Sequence, residues 1–245
     1  MKKKRKLRIS IIILGILTAA VIGCGVYVND YYHAGNVASK TLESDLKVEV
    51  SRLSDDSYVF VPENPVSGMI FYPGGKVEYT AYAPLMEKYA EKGVLCVLVK
   101  MPFNLAVLDI DAAEGMKEMF PEVQDWYIGG HSLGGSMAAS YVSEHIDEFE
   151  GLVLLAAYST EDLNESGLNV ISVYGSEDQV LDLEKYEEYR ANLPESTCEI
   201  VIEGGCHAHF GDYGAQTGDG EPTITMEEQM NQTIEFSKES GMKMR

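Results

Sequence analysis

Apolar residues in this chain follow two rhythms. Residues 47–53 and 58–61 alternate apolar with polar, as an antiparallel pair turning at Asp55-Asp56 would. Beyond them come short, nearly continuous apolar runs at 68–72, 94–99, 126–129, 151–156, 169–174 and 197–202. Such runs suit strands buried on both faces, which is the condition of a parallel sheet. The segments between them carry helical spacing. Tyr82, Leu85, Met86, Tyr89 and Ala90 fall on one face, with Pro84 in the first turn and Gly93 at the C-terminal cap. Leu133, Met137, Ala138, Tyr141 and Val142 form a second face. Further helices are predicted over 109–120, ending at Pro121, and over 183–193, ending at Pro194. A last helix runs from Thr225 to about Ser237, where Thr225 and Glu228 are spaced as a capping box. Strand and helix alternate, so the pattern predicts an α/β fold with a mostly parallel central sheet and helices on both faces.

The first 47 residues read differently. Residues 9–28 form a 20-residue run without a charge, long enough to cross a bilayer core. Six basic residues precede it (Lys2, Lys3, Lys4, Arg5, Lys6 and Arg8) with no acid among them. That asymmetry predicts a signal anchor whose basic end stays in the cytoplasm, so the domain that follows lies outside the cell membrane. A cleaved signal peptide ending near Ala19-Ala20 and a lipoprotein at Val21-Ile-Gly-Cys24 are the competing readings. The organisation expected is therefore a basic region with a single transmembrane anchor over 1–28, a polar tether over 29–47, and one domain over 48–245.

Charge narrows the partners. The whole chain carries a formal net charge of −20, but the part after residue 8 holds 13 basic against 39 acidic residues, or −26. Such a domain is a poor match for nucleic acid and should repel anionic substrates. The four cysteines show no disulfide framework, since Cys24 lies in the apolar run and Cys96 in a predicted strand. The sequence leaves oligomeric state open.

In an open parallel sheet, ligands bind beyond the carboxyl ends of the strands, so chemistry is sought there. After the strand 126–129 comes Gly130-His-Ser-Leu-Gly134, followed at once by helical spacing. A serine at so sharp a turn tolerates only small neighbours two residues before and after, and both are glycine. Ser132 is the expected nucleophile, and the amide of Leu133, at a helix N-terminus, an expected oxyanion donor. The loop Pro73-Gly74-Gly75-Lys76 follows another strand end and should supply the second donor from Gly74, Gly75 or Lys76. Past residue 174 stands Gly175-Ser-Glu-Asp178, where Asp178 is favoured over Glu177 as the acid that orients a histidine. Past residue 202 stands Glu203-Gly-Gly-Cys-His207-Ala-His209, where His207, nearer the strand end, is the expected base. His131, Asn104, His209 and Phe210 are candidates to line the pocket. A metal site at His207, His209 and Asp212 lacks other clustered ligands, so neither metal nor cofactor is expected.

The order nucleophile, acid, histidine is the one an α/β-hydrolase requires. The chain resembles that superfamily, most closely the bacterial "α/β-hydrolase fold-5" group related to the dienelactone hydrolases. The resemblance rests on Phe71-Tyr-Pro-Gly-Gly-Lys-Val77, Met101-Pro-Phe-Asn-Leu-Ala-Val107, Gly130-His-Ser-Leu-Gly-Gly135, Tyr174-Gly-Ser-Glu-Asp178 and Gly204-Gly-Cys-His-Ala-His-Phe-Gly-Asp-Tyr-Gly214. It implies Ser132, Asp178 and His207 as a catalytic triad. Dienelactone hydrolases carry a cysteine where this chain has Ser132, so their substrate is not implied; Cys206 stands where relatives are expected to have asparagine. The short stretch 157–168 leaves no room for a lid domain, and the glycine-rich loop 208–222 is the expected mobile part. The function expected is a membrane-tethered, extracytoplasmic serine hydrolase, carboxylesterase-like, acting on a small or lipid-like ester, thioester or amide. An acyltransferase using the same triad and a catalytically silent surface binding module are the alternatives.

Overall fold

The computed structural model describes residues 2–43 and 47–245, with side chains from residue 13 onward. The side chains of the basic cluster and residues 44–46 of the expected tether lie outside the described residues. The chain divides into two compact units, residues 1–31 and residues 32–245. The first is a single helix, α1 (Lys2–Asn29). Among the described residues no helix is long and apolar enough to cross a membrane.

The second unit begins earlier than the expected domain. Tyr32 bridges to Val77, and a short helix α2 (Asn36–Thr41) buries Ala38 and Thr41. The greater part of the stretch read as a tether is thus docked, because its backbone amides at Tyr32, Ala34, Gly35 and Ala38 donate to acceptors of the domain rather than to solvent. Then come β1 (Val48–Arg52), β2 (Tyr58–Pro62), β3 (Ser67–Tyr72), α3 (Ala83–Glu91), β4 (Val94–Leu98), β5 (Trp126–His131) and α4 (Leu133–Glu144). The chain ends with β6 (Gly151–Leu155), β7 (Asn169–Gly175), α5 (Leu183–Tyr189), β8 (Cys198–Ile202) and α6 (Met226–Glu239).

All eight strands join one sheet in the order β1-β2-β4-β3-β5-β6-β7-β8. Pairing is antiparallel from β1 through β2 to β4 and parallel from there on. The period of two distributes each strand between two cores: Met69 and Phe71 face one, Ile70 and Tyr72 the other. On the first face lie α3 and α6, with Leu85, Met86, Tyr89, Met230 and Ile234 buried. On the second lies α4, through Ala138, Ala139, Tyr141 and Val142. α6 starts on the expected capping box, Thr225 and Glu228. The register sets Tyr72 opposite Gly130, His131 opposite Leu155, Leu155 opposite Val173, and Gly175 opposite Ile202. The carboxyl ends of β3, β5, β6, β7 and β8 therefore share one rim.

The helix expected over 109–120 does not form. In its place stand separate 3-10 turns at Ile110–Ala113 and Lys117–Met119. Gly115 between them adopts φ +75°, and the buried Tyr72 hydroxyl intervenes, donating to the Ile110 carbonyl at 2.6 Å and accepting from the Ala113 amide at 2.9 Å. Backbone groups that a helix would have paired internally are taken by a core side chain.

Candidate active site

Ser132 sits between the end of β5 and the start of α4 with φ 51° and ψ −123°, a conformation costing on the order of 1–3 kcal/mol. Backbone bonds hold it there: its amide donates to the Leu155 carbonyl at 2.9 Å, and its carbonyl accepts from the Ser136 amide at 3.1 Å. The flanking glycines are sterically required. A Cβ on Gly130 would lie 2.5 Å from the Gly134 carbonyl carbon, and one on Gly134 would lie 2.3 Å from the carbonyl oxygens of Tyr72 and Pro73. Packing this close projects the serine side chain from the rim while the backbone beneath it is fixed.

His207 follows β8 and is buried. Its Nδ1 lies 2.8 Å from Asp178 Oδ2. The other carboxylate oxygen, Oδ1, accepts from the amides of Val180 at 2.9 Å and Leu181 at 2.8 Å. With both carboxylate oxygens accepting, Nδ1 carries the proton and Nε2 is left as an acceptor. That Nε2 has no hydrogen-bond partner among the described residues. Ser132 and His207 line one cleft of about 240 Å³, together with Leu133, Ser136, Tyr158 and Leu181. The structure thus brings the three expected residues to one rim, with the acid and the imidazole in direct contact. Ser132 and His207 open onto the same space without a hydrogen bond between them.

The loop after β3 is more constrained than its glycines suggest. The Gly74 amide donates to the Tyr82 hydroxyl at 3.1 Å, and the Lys76 amide to the Asn104 carbonyl at 2.8 Å. Of the amides of residues 74–76, that of Gly75 has no hydrogen-bond partner among the described residues. Gly75 also packs on Leu133, where a Cβ would come within 2.9 Å of its side chain. Of the three candidates for the one donor expected from this loop, Gly74 and Lys76 are spent elsewhere, and Gly75 stands beside Leu133.

The four candidate lining residues do not line the cleft. Asn104, at φ +56°, uses its carbonyl to hold Lys76. Phe210 is fully buried, 5.5 Å from the His131 ring. His209 opens instead onto a separate depression of about 470 Å³ with Cys206 and Asp219. His131 lies behind the site, its ring centroid 4.4 Å from that of His207. The Tyr82 hydroxyl, which accepts from the Gly74 amide, also lies 2.8 Å from His131 Nδ1, and His131 Nε2 is buried with no hydrogen-bond partner among the described residues. Burial first, and the nearby His207 second, hold His131 well below the ordinary imidazole value of 6.5.

That depression has a stability consequence. The folded state keeps His131 neutral while the unfolded chain protonates it near 6.5, so its contribution is complete above that pH and is lost as pH falls below it. Each unit below 6.5 should cost up to about 1.4 kcal/mol of unfolding free energy from this residue. Urea titrations at pH 8, 6 and 5 check this: the decline between pH 6 and 5 should be shallower in His131→Asn. An equal decline in both proteins would remove His131 as its source.

Two further residues escaped the sequence patterns. Tyr82 was assigned to a core helix face, and nothing in its spacing distinguishes the hydroxyl that links Gly74 to His131. Asp219, in Gly218-Asp-Gly220, accepts through Oδ1 from the amides of His207 at 3.2 Å and Gly220 at 2.9 Å, and through Oδ2 from Ala208 at 2.9 Å. An acid between two glycines was its only signal. Burial and the Asp219 carboxylate push the Cys206 thiol up to about 12, so it is no thiolate nucleophile at neutral pH.

A family model described as "Alpha/beta hydrolase family" matches residues 68–231. No curated protein sequence matches the chain. Among solved structures, the fold is similar to that of the protein TT1662 from Thermus thermophilus, with a TM-score of 0.60 at 17% identity, covering 82% of this chain and 100% of the other. Est1E from Butyrivibrio proteoclasticus is similar with a TM-score of 0.54 at 15% identity, covering 79% and 98%. A dienelactone hydrolase from Anabaena variabilis is similar with a TM-score of 0.57 at 12% identity, covering 79% and 98%.

Proposed function

Because the chain belongs to the alpha/beta hydrolase family, we propose that it is an esterase-like serine hydrolase working through an acyl-enzyme. The observation that carries this reading is the buried Asp178–His207 pair, whose histidine, with Nε2 unpartnered, shares a cleft with a strained, half-buried serine. In this reading Ser132 Oγ attacks the acyl carbon and its proton passes to His207 Nε2. The negative charge that develops on the carbonyl oxygen is met by the amides of Leu133 and Gly75. The C–O bond to the leaving alkoxide breaks as His207 returns the proton to it. A water then attacks the acyl carbon and gives a proton to His207, which passes it to Ser132 Oγ as the acyl–serine bond breaks, releasing the acid and restoring the serine. Asp178 holds the imidazole in the tautomer each step needs. Catalytic serine–histidine bonds often tighten only when substrate binds, so a shared cleft is the geometry to look for.

Substrate class follows from space and charge. A cleft of about 240 Å³ is smaller than those that hold drug-sized ligands, so short acyl groups fit it best. The acidic domain favours uncharged or cationic esters. The uncharged run 9–28 behind six basic residues supports a retained anchor, with the hydrolase on the outer side of the cell membrane. One experiment covers both statements: expressed full-length protein is fractionated and tested against p-nitrophenyl esters of increasing chain length. Butyrate should exceed palmitate at least about tenfold in kcat/KM, with activity sedimenting with membranes and released by detergent but not by carbonate. Turnover of no ester would sink the hydrolase reading, a palmitate preference the short-acyl reading, and release by carbonate the anchor.

A further inference from the structure

Residues 32–41 join two loops that lie far apart in the chain. Tyr32 pairs like a one-residue strand beside Val77. Its amide donates to the Lys76 carbonyl at 2.8 Å, and its carbonyl accepts from the Glu78 amide at 2.8 Å. These bonds begin one residue beyond Gly75. The Ala34 amide adds a bond to Glu78 Oε2 at 3.0 Å. The same segment grips the loop that follows His207. The Tyr32 hydroxyl accepts from the Thr217 amide at 3.0 Å, and its ring lies 5.7 Å from that of Tyr213. Gly35 donates to the Asp212 carbonyl at 2.7 Å, and Ala38, in α2, donates to Asp212 Oδ2 at 2.8 Å. Gly35 fits so closely that a Cβ there would lie 2.4 Å from the Asp212 carboxylate.

We infer that this segment is a strap of the catalytic frame, with Tyr32 a positioning residue that holds the Gly75 loop and the His207 loop at a fixed separation. Tyr32 touches no reacting atom; it acts through Lys76–Glu78 on one side and Asp212–Thr217 on the other. The inference rests on the roles proposed above for Gly75 and His207. Its physical basis is that oxyanion stabilisation requires the donor and the base to keep their spacing throughout the reaction, and displacements near 1 Å are costly. The loop after His207 contains Gly211, Gly214, Gly218 and Gly220. Glycines lose more freedom on ordering than other residues, so such a loop holds its shape only through cross-links. Asp219 supplies those at its inner end and the strap those at its outer end.

The test uses the full-length protein. Tyr32→Ala removes the ring and hydroxyl, Gly35→Val forces the strap off Asp212, and Tyr32→Phe deletes only the bond to Thr217. The expected result is a kcat lowered at least about tenfold in Tyr32→Ala and Gly35→Val, with KM for a small ester changed less than about threefold. Fluorophosphonate labelling of Ser132 should slow in step with kcat. Tyr32→Phe should lose only about two- to threefold in kcat while amide exchange at Thr217 rises. Unchanged kcat in folded Tyr32→Ala and Gly35→Val overturns the inference. If neither folds, Tyr32→Phe decides: raised exchange at Thr217 with unchanged kcat overturns it, and raised exchange with a two- to threefold loss supports it. A wild type that neither turns over esters nor labels removes the hydrolase reading and the strap with it. An active, labelled wild type with equally active variants removes the strap alone.

Discussion

Replacing Ser132 by alanine should lower kcat for ester hydrolysis by about 10⁴–10⁶ and abolish labelling by a fluorophosphonate. The size of the effect follows from the chemistry, since without Oγ there is no covalent intermediate and only the amides of Leu133 and Gly75 remain to speed direct attack by water. The fold should not suffer. What holds residue 132 at φ 51° is a pair of backbone bonds, to Leu155 and from Ser136, and alanine keeps both. The melting temperature should therefore stay within a few degrees of wild type, which separates loss of chemistry from loss of structure. Steady-state kinetics and calorimetry on the same preparations check this. Substantial turnover in a folded Ser132→Ala protein would mean that the reacting group lies elsewhere; Cys206, its thiol pushed up to about 12, is a poor substitute.

The second large effect concerns Asp178→Asn, for which kcat should fall by about 10⁴ while the protein remains folded. Asparagine can still accept from the amides of Val180 and Leu181 through its carbonyl oxygen, so the turn after β7 survives. Toward His207 it presents an NH₂ group where the carboxylate oxygen stood. The imidazole answers by putting its proton on Nε2, which then carries a hydrogen where the proposed mechanism needs a lone pair. The loss is thus one of tautomer rather than of position, and KM should change far less than kcat. A loss of under tenfold would show that Asp178 does not orient the base, and Glu177 would then be the acid to examine.

Much of this was legible in the chain. The first two strands declared themselves by alternation and the other six by short apolar runs, and the rim residues then followed from where those runs end. Gly130 and Gly134 could be read as obligatory because an elbow admits no other side chain. What escaped has a common physical form, in that it depends on bonds between segments distant in sequence. Helical spacing over 109–120 was real, but Tyr72 from β3 took the backbone groups that a helix needed. Three amides of the Gly74–Lys76 loop looked equivalent until Tyr82 and Asn104 each claimed one. His131 is adjacent to Ser132 in sequence yet supports the site from behind, and Phe210 packs there against its ring, a contact between segments far apart in the chain. Residues 29–47 looked like a tether because they are polar and lack a long apolar face; nothing local shows that Asp212 and Thr217 are waiting for them.

The docking of Tyr32 also sets where the catalytic unit can be cut. A recombinant form that started at Val48 would bare the Lys76 carbonyl and the Glu78 amide, an open stretch of the kind that invites strands from a neighbouring molecule. Tyr213 would lose the Tyr32 ring that covers it at the same time. Precipitation or feeble turnover in such a truncated preparation would therefore speak of the cut and say little about the enzyme.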